Sequence, residues 1–234
     1  MNPPPFPALG AIIDLDGTLL DTVADLAAGV NAMLVELGRD ELPIERVAAY
    51  VGKGSEVLVH RALTGEFDGR AEPALAEAAV QAFYRHYGRE NGRHARVYPG
   101  VREGLAAMRA RGLRLACVTN KPQAFSDALL QRTGLADAFE IIVGGDALSR
   151  RKPDPLPMLH ACERLGIAPG HMLAIGDSVN DAAAARSAGI PILVVPYGYN
   201  EGRPVESIDA DGIVASLAEV PGWLAERAAP AASC

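Results

Sequence analysis

The chain of 234 residues carries a formal charge of −7 and is 49% hydrophobic with 5% aromatic residues, the balance of an ordinary globular protein of one large or two modest domains. Its acidity argues against the broad basic face of a nucleic-acid binder, and no run reaches the roughly 20 apolar residues that a membrane span requires.

In chain order, the proline-rich start at residues 1–7 lacks the basic and long apolar regions of a secretory signal. The run Gly10-Ala11-Ile12-Ile13 reads as a buried strand ending in Asp14-Leu15-Asp16-Gly17-Thr18. From Thr22, whose spacing to Asp25 resembles a capping box with Asp in place of Glu, apolar residues fall at helical spacing through Gly38. More helices are predicted at about 44–50, 55–63 and 73–89, with no strand among them. From Val97 onward helix and strand alternate: helix to about 111, strand 113–118, helix to 132, strand 139–143, helix 156–165, strand 172–175, helix to 188, strand 192–195. The stretch from Ala228 to Cys234 reads as a frayed tail. A parallel sheet with crossover helices is the economical arrangement. The expected fold is α/β, a Rossmann-like parallel sheet core over 8–20 plus 97–226, interrupted by an all-helical insertion over 21–96.

The polar residues at the predicted strand ends carry the chemistry. In an open parallel sheet the carboxyl ends of the strands face the ligand crevice, and the two-residue period of a strand directs Asp14 and Asp16 to the same side. A calcium loop starting at Asp14 would need Gly at its sixth position and Glu at its twelfth, where the chain has Leu19 and Asp25. The strand ending at Val118 delivers Thr119-Asn120-Lys121, the one ending at Ile175 delivers Gly176-Asp177-Ser178-Val179-Asn180-Asp181, and between them stands Lys152-Pro153. The cysteines Cys117, Cys162 and Cys234 are odd in number and lack metal spacing; they read as thiols in a reducing, cytoplasmic compartment.

That ordered set, an Asp-x-Asp pair, then Thr, then Lys-Pro, then Gly-Asp-x-x-x-Asp, resembles the haloacid dehalogenase superfamily of phosphotransferases over nearly the whole chain. Asp-Leu-Asp-Gly-Thr-Leu-Leu-Asp-Thr, Val-Thr-Asn-Lys and Gly-Asp-Ser-x-x-Asp look most like bacterial phosphoglycolate phosphatases within it. The resemblance implies that the 21–96 insertion is a cap domain that selects the substrate. It also implies a Mg2+ ion held by Asp14, Asp177 and the backbone carbonyl of Asp16, with Asp181 supporting the site through a metal-bound water or by holding Lys152.

The residue chemistry is compatible with this. A carboxylate can serve as covalent nucleophile through an aspartyl-phosphate, a role for Asp14, while Asp16 serves as acid and base. Thr119, Asn120, Lys152 and helix-start N–H groups are expected to bind the phosphoryl oxygens. In Val51-Gly52-Lys53-Gly54-Ser55 the two glycines permit close backbone approach, so Gly52, Lys53 and Gly54 are the candidate specificity residues, with Lys53 pairing the carboxylate of a small phosphorylated acid. The expected reaction is hydrolysis of 2-phosphoglycolate by a monomer or homodimer that binds neither nucleic acid nor membrane. A hexose-phosphate mutase, a phosphonoacetaldehyde hydrolase or a pyrophosphatase of the same superfamily are the neighbouring possibilities, and a receiver-type phosphoacceptor module is the non-enzymatic one.

Overall fold

The computed structural model describes residues 6–228, so the readings of residues 1–5 and of the tail with Cys234 lie outside the described residues. Strand β1 (Gly10–Ile13) is followed by β2 (Leu20–Asp21), then by helices α1 (Val23–Glu36), α2 (Ile44–Tyr50), α3 (Ser55–Thr64) and α4 (Pro73–Glu90), and by β3 (Arg96–Val97). The alternating series is α5 (Val101–Ala110), β4 (Arg114–Val118), α6 (Gln123–Thr133), β5 (Ile141–Val143), α7 (Leu156–Leu165), β6 (Met172–Gly176), α8 (Val179–Ala188), β7 (Ile192–Val194), β8 (Gly212–Ile213) and α9 (Val220–Ala228).

The main sheet runs in the order β5-β4-β1-β6-β7-β8, and every pair in it is parallel. Alternate residues serve opposite layers: Ile13, Leu115, Cys117, Leu173 and Ile175 join one apolar cluster, while Ile12, Ala116, Val118, Met172 and Ala174 join the other. Burial on both faces explains the unbroken apolar runs in these strands. In register, Ile13 lies beside Cys117 on one side and Ile175 on the other. The segments after β1, β4 and β6 therefore leave the sheet side by side, at the point where strand order reverses and ligand crevices form.

Helices α1 to α4 form an inserted cap with an apolar core of its own, including Leu26, Val30, Met33, Tyr50, Leu58, Phe83 and Tyr87. The chain enters it through β2 and returns through β3. These pair antiparallel, Leu20 with Val97 and Asp21 with Arg96, in a ribbon too short for any two-residue pattern to be read from sequence.

One local expectation fails. Thr22 does not cap α1 through its side chain; its hydroxyl donates to Asp16 Oδ1 at 2.7 Å. Asp25, fully buried, instead accepts the Gly92 and His94 N–H groups at 2.8 and 2.7 Å, because a buried carboxylate needs donors more than a helix start needs this acceptor. The capping box forms at α8, between Ser178 and Asp181.

Candidate active site

Asp14 and Asp16 follow directly from β1, with the next turn folded closely against Asp177. A Cβ at Gly17, where φ is +89°, would collide with the Asp177 carboxylate, and one at Gly198 would collide with the same side chain. Glycine at these two positions lets backbone from both sides close on Asp177. Thr18 Oγ1 donates to Asp177 Oδ1 at 3.0 Å and the Tyr199 N–H to Oδ2 at 2.7 Å. The segment 197–200, which the sequence leaves open as a crevice wall or a simple loop, is thus a wall of the site, and Tyr197 OH adds a bond to the Thr18 carbonyl at 3.0 Å.

Lys152 stands between two carboxylates. Its ammonium lies 2.7 Å from Asp14 Oδ1 and 2.6 Å from Asp181 Oδ1, and donates to the Val118 carbonyl at 2.7 Å. Burial opposes its charge, but Asp14 and Asp181 outweigh burial and hold it above the ordinary lysine range. The other oxygen of Asp181 accepts the Ser178 N–H at 3.1 Å and its hydroxyl at 2.6 Å. Asp181 therefore holds Lys152 directly, one of the two roles expected of it.

Burial, opposed by Lys152, pushes the Asp14 carboxyl up to about 7. Burial, then Asp181 and Asp14, raise Asp177 well above the usual carboxylate range, and its bonds from Tyr199 and Thr18 only partly oppose this. Asp14, Asp177 and Asp181 each offer an oxygen within 4.8 Å of the others, a separation at which two carboxylates repel by about 3–4 kcal/mol at an effective dielectric of 20. Counting Asp16, four carboxylates face the two ammonium groups of Lys121 and Lys152, so ionising all four would leave two negative charges unbalanced. All-oxygen donors with that deficit suit a hard dication such as Mg2+. Asp177, whose hydrogen bonds all come from neutral groups, is the carboxylate most in need of it.

Asp16 makes a separate pair. Lys121 Nζ lies 3.0 Å and 3.2 Å from its two oxygens, with the Tyr87 ring of the cap 4.8 Å away on another side. Burial disfavours the Lys121 charge, yet Asp16 and Tyr87 reverse the balance and raise the lysine above its usual range. Sequence reasoning passed over Lys121 beside Thr119 and Asn120, although its place one residue beyond them was visible. Thr119 Oγ1 accepts the Lys121 N–H at 3.2 Å. The Asn120 amide donates to Gly52 O and Lys152 O, both at 2.9 Å, so this side chain ties the cap to the core and is not free to donate to phosphate.

A cleft of about 430 Å3 is lined by Asp14, Asp16, Thr119 and Lys121 from the core and by Gly52, Gly54 and other cap residues. It adjoins a smaller space of about 260 Å3 beside Lys152, Asp177 and Asp181. Gly52 and Gly54, at φ +121° and +88°, bring cap backbone to the cleft as expected. Lys53 between them does not line it. Its ammonium lies 3.3 Å from Glu201, which also holds buried Arg61 at 2.7 Å. An unpaired Glu201, with a side chain only 6% exposed, would carry the cost of an uncompensated buried charge, so this carboxylate claims Lys53 of the 52–54 turn together with Arg61 of α3. Cys117 and Cys162 are buried free thiols, and no described helix is long and apolar enough to cross a membrane.

Residues 10–189 match the family model of haloacid dehalogenase-like hydrolases, and these residues hold every carboxylate and lysine of the site. The chain is a haloacid dehalogenase-like hydrolase. Among proteins similar to this hydrolase, phosphoglycolate phosphatase of Nitrosospira multiformis is 55% identical over 92% of this chain and 95% of its own length. Phosphoglycolate phosphatase of Thiobacillus denitrificans is 52% identical over the same shares. Among solved structures, a predicted phosphoglycolate phosphatase from Haemophilus somnus superposes with a TM-score of 0.86 at 32% identity, covering 92% of this hydrolase and 97% of that chain.

Proposed function

We propose that this hydrolase converts 2-phosphoglycolate to glycolate and inorganic phosphate through a phosphorylated Asp14. The observation that carries the reading is the placement of Asp14 and Asp16 in one cleft, each with its own buried ammonium partner. Relatives bearing the name phosphoglycolate phosphatase at 55% and 52% identity support the choice of substrate.

An Asp14 oxygen attacks phosphorus in line with the ester bond, forming the aspartyl-phosphate as the P–O bond to glycolate breaks. Asp16 gives its proton to the departing alkoxide, then takes one from the water that attacks the aspartyl-phosphate and releases phosphate and free Asp14. Lys152, pinned by Asp181, keeps one Asp14 oxygen oriented and adds positive charge beside the transferring phosphoryl group, where positioning and electrostatics do most of the work. Asp14 and Asp177, with the Asp16 backbone carbonyl and support from Asp181, would hold Mg2+, which when bound neutralises the phosphoryl oxygens and lowers their repulsion from Asp14. Thr119 and backbone N–H groups after β4 orient the phosphoryl oxygens. The cap, residues 21–96 in this reading, excludes bulk water from the cleft. A cytoplasmic monomer or homodimer suits this chemistry.

A phosphate-release panel with Mg2+ tests the reading, using phosphoglycolate, hexose phosphates, nucleotides and pyrophosphate. Phosphoglycolate is expected to give the highest kcat/KM, by at least about tenfold, a discrimination of about 1.4 kcal/mol. Preference for a hexose phosphate or pyrophosphate would overturn it.

A further inference from the structure

We propose that Lys121 is the specificity-determining residue that grips the carboxylate of the substrate, an inference that rests on the phosphoglycolate reading above. The cleft needs a cation for that carboxylate, and the candidates are few. Lys53 is turned to Glu201. Lys152 has three N–H donors, and all three have protein acceptors, on Asp14, Asp181 and Val118. Among the described residues that line the larger cleft, Lys121 is the one cation, and its hydrogen bonds from Nζ go to the single carboxylate of Asp16. An ammonium with three donors can serve Asp16 and a second carboxylate together.

Its location suits the geometry of the substrate. Asp16 serves the ester oxygen, and in phosphoglycolate the carboxyl carbon lies two bonds beyond that oxygen. A cation 3.0 and 3.2 Å from the Asp16 oxygens stands beside the place where such a carboxylate must go. The cation is also braced. The Tyr87 ring lies 4.8 Å from Nζ, and the Tyr87 hydroxyl is fixed by Asn91 at 2.8 Å. The cap side of the cleft is lined by Leu26, Val51 and Leu58, with Ser55 and the backbone of Gly52 and Gly54; the apolar side chains strengthen the ion pair by excluding water, and none of these residues is a rival cation. Because Tyr87 belongs to the cap and Lys121 to the core, recognition of the carboxylate is coupled to the cap's position over the cleft.

The experiment compares kcat/KM for phosphoglycolate with that for monoethyl phosphate, in which a methyl group replaces the carboxylate. In Lys121→Met the ratio of the two is expected to fall by about 10- to 150-fold, the range for a charge-assisted hydrogen bond. Lys121→Arg should restore most of it, and Lys53→Met should leave it unchanged. An equal loss on both esters, as expected if Lys121 only positions Asp16, overturns the inference, and so does an unchanged ratio. Should Lys121→Met turn over neither ester, the ratio is read as Kd by calorimetry in an Asp14→Asn background, with the same two outcomes. If the parent enzyme itself shows no preference for phosphoglycolate over monoethyl phosphate, the substrate reading fails. A parent preference that survives in Lys121→Met refutes the role of Lys121 alone.

Discussion

Replacing Lys152 with Met is expected to destabilise the metal-free protein strongly. The side chain is 3% exposed and its ammonium is within 2.7 Å of Asp14 and 2.6 Å of Asp181. Coulomb attraction at an effective dielectric of 20 is about 6 kcal/mol for each such pair, and most of it offsets the cost of burying three charges. Removing one partner abandons that offset and leaves two buried carboxylates unpaired, for a net loss of about 3–5 kcal/mol. In a chain of this size that corresponds to a fall in Tm of about 6–20 °C, measurable by scanning calorimetry with chelator present. The pH dependence has a definite sign. Lys152 is held above its ordinary range, so its contribution is fully present at neutral pH. Without it, the carboxyl of Asp14, already raised by burial and lowered chiefly by Lys152, titrates still higher in the folded state than in the unfolded state. The folded variant then binds more protons, so its stability rises as pH falls. The gap from the parent protein should narrow between pH 8 and pH 5, and Lys152→Met with Asp181→Asn should recover part of the loss. A Tm change below about 2 °C at pH 8, or a gap that widens on acidification, would refute the reasoning.

Asp177→Asn is expected to act in the opposite direction. Because burial, Asp181 and Asp14 raise the Asp177 carboxyl in the folded protein, its ionised form costs stability at pH above that raised value, and the cost disappears as pH falls. The metal-free variant should melt a few degrees above the parent at pH 8, about 2–4 °C per kcal/mol, with the difference closing toward pH 4, and it should lose the Mg2+-dependent rise in Tm. A lower Tm than the parent at pH 8 would count against the charge-deficit account. Glu201→Gln removes the carboxylate that holds buried Arg61 and Lys53. Burial pulls the Glu201 carboxyl upward, but Arg61 and Lys53 outweigh it and hold the group below its ordinary value. Its stabilisation is therefore present above the ordinary carboxylate pKa and lost as pH falls through the depressed one. Denaturation midpoints should show a loss of about 3 kcal/mol at pH 7 that vanishes in acid, and an unchanged midpoint at pH 7 would contradict this role.

Much of the fold could be read directly because its signals are local. The apolar run before Asp14 and the alternation after Val97 mark strands buried on both faces, and the four cap helices show helical spacing bounded by Gly and Pro. What escaped depends on distant partners. Lys53 and Lys121 are both lysines in polar turns, and no local pattern tells which one faces the cleft. That is decided by Glu201, at φ +52°, which draws Lys53 away, and by Asp16, which draws Lys121 in. Thr22 and Asp25 have capping-box spacing, yet stronger claims come from Asp16 and from the backbone at Gly92 and His94. Asp177 could be identified by its motif, but its enclosure by Gly17 and Gly198 could not, since the two glycines approach it from opposite ends of the sequence.

The covalent role of Asp14 is tested most directly by trapping the phosphorylated enzyme. The protein is mixed with phosphoglycolate and Mg2+, quenched in acid within milliseconds, digested, and mapped by mass spectrometry. The account predicts one phosphate on the peptide containing Asp14, absent from Asp14→Asn, which should release no phosphate above background. Phosphate release by Asp14→Asn at the parent rate, or the trapped phosphate on a different residue, would contradict it.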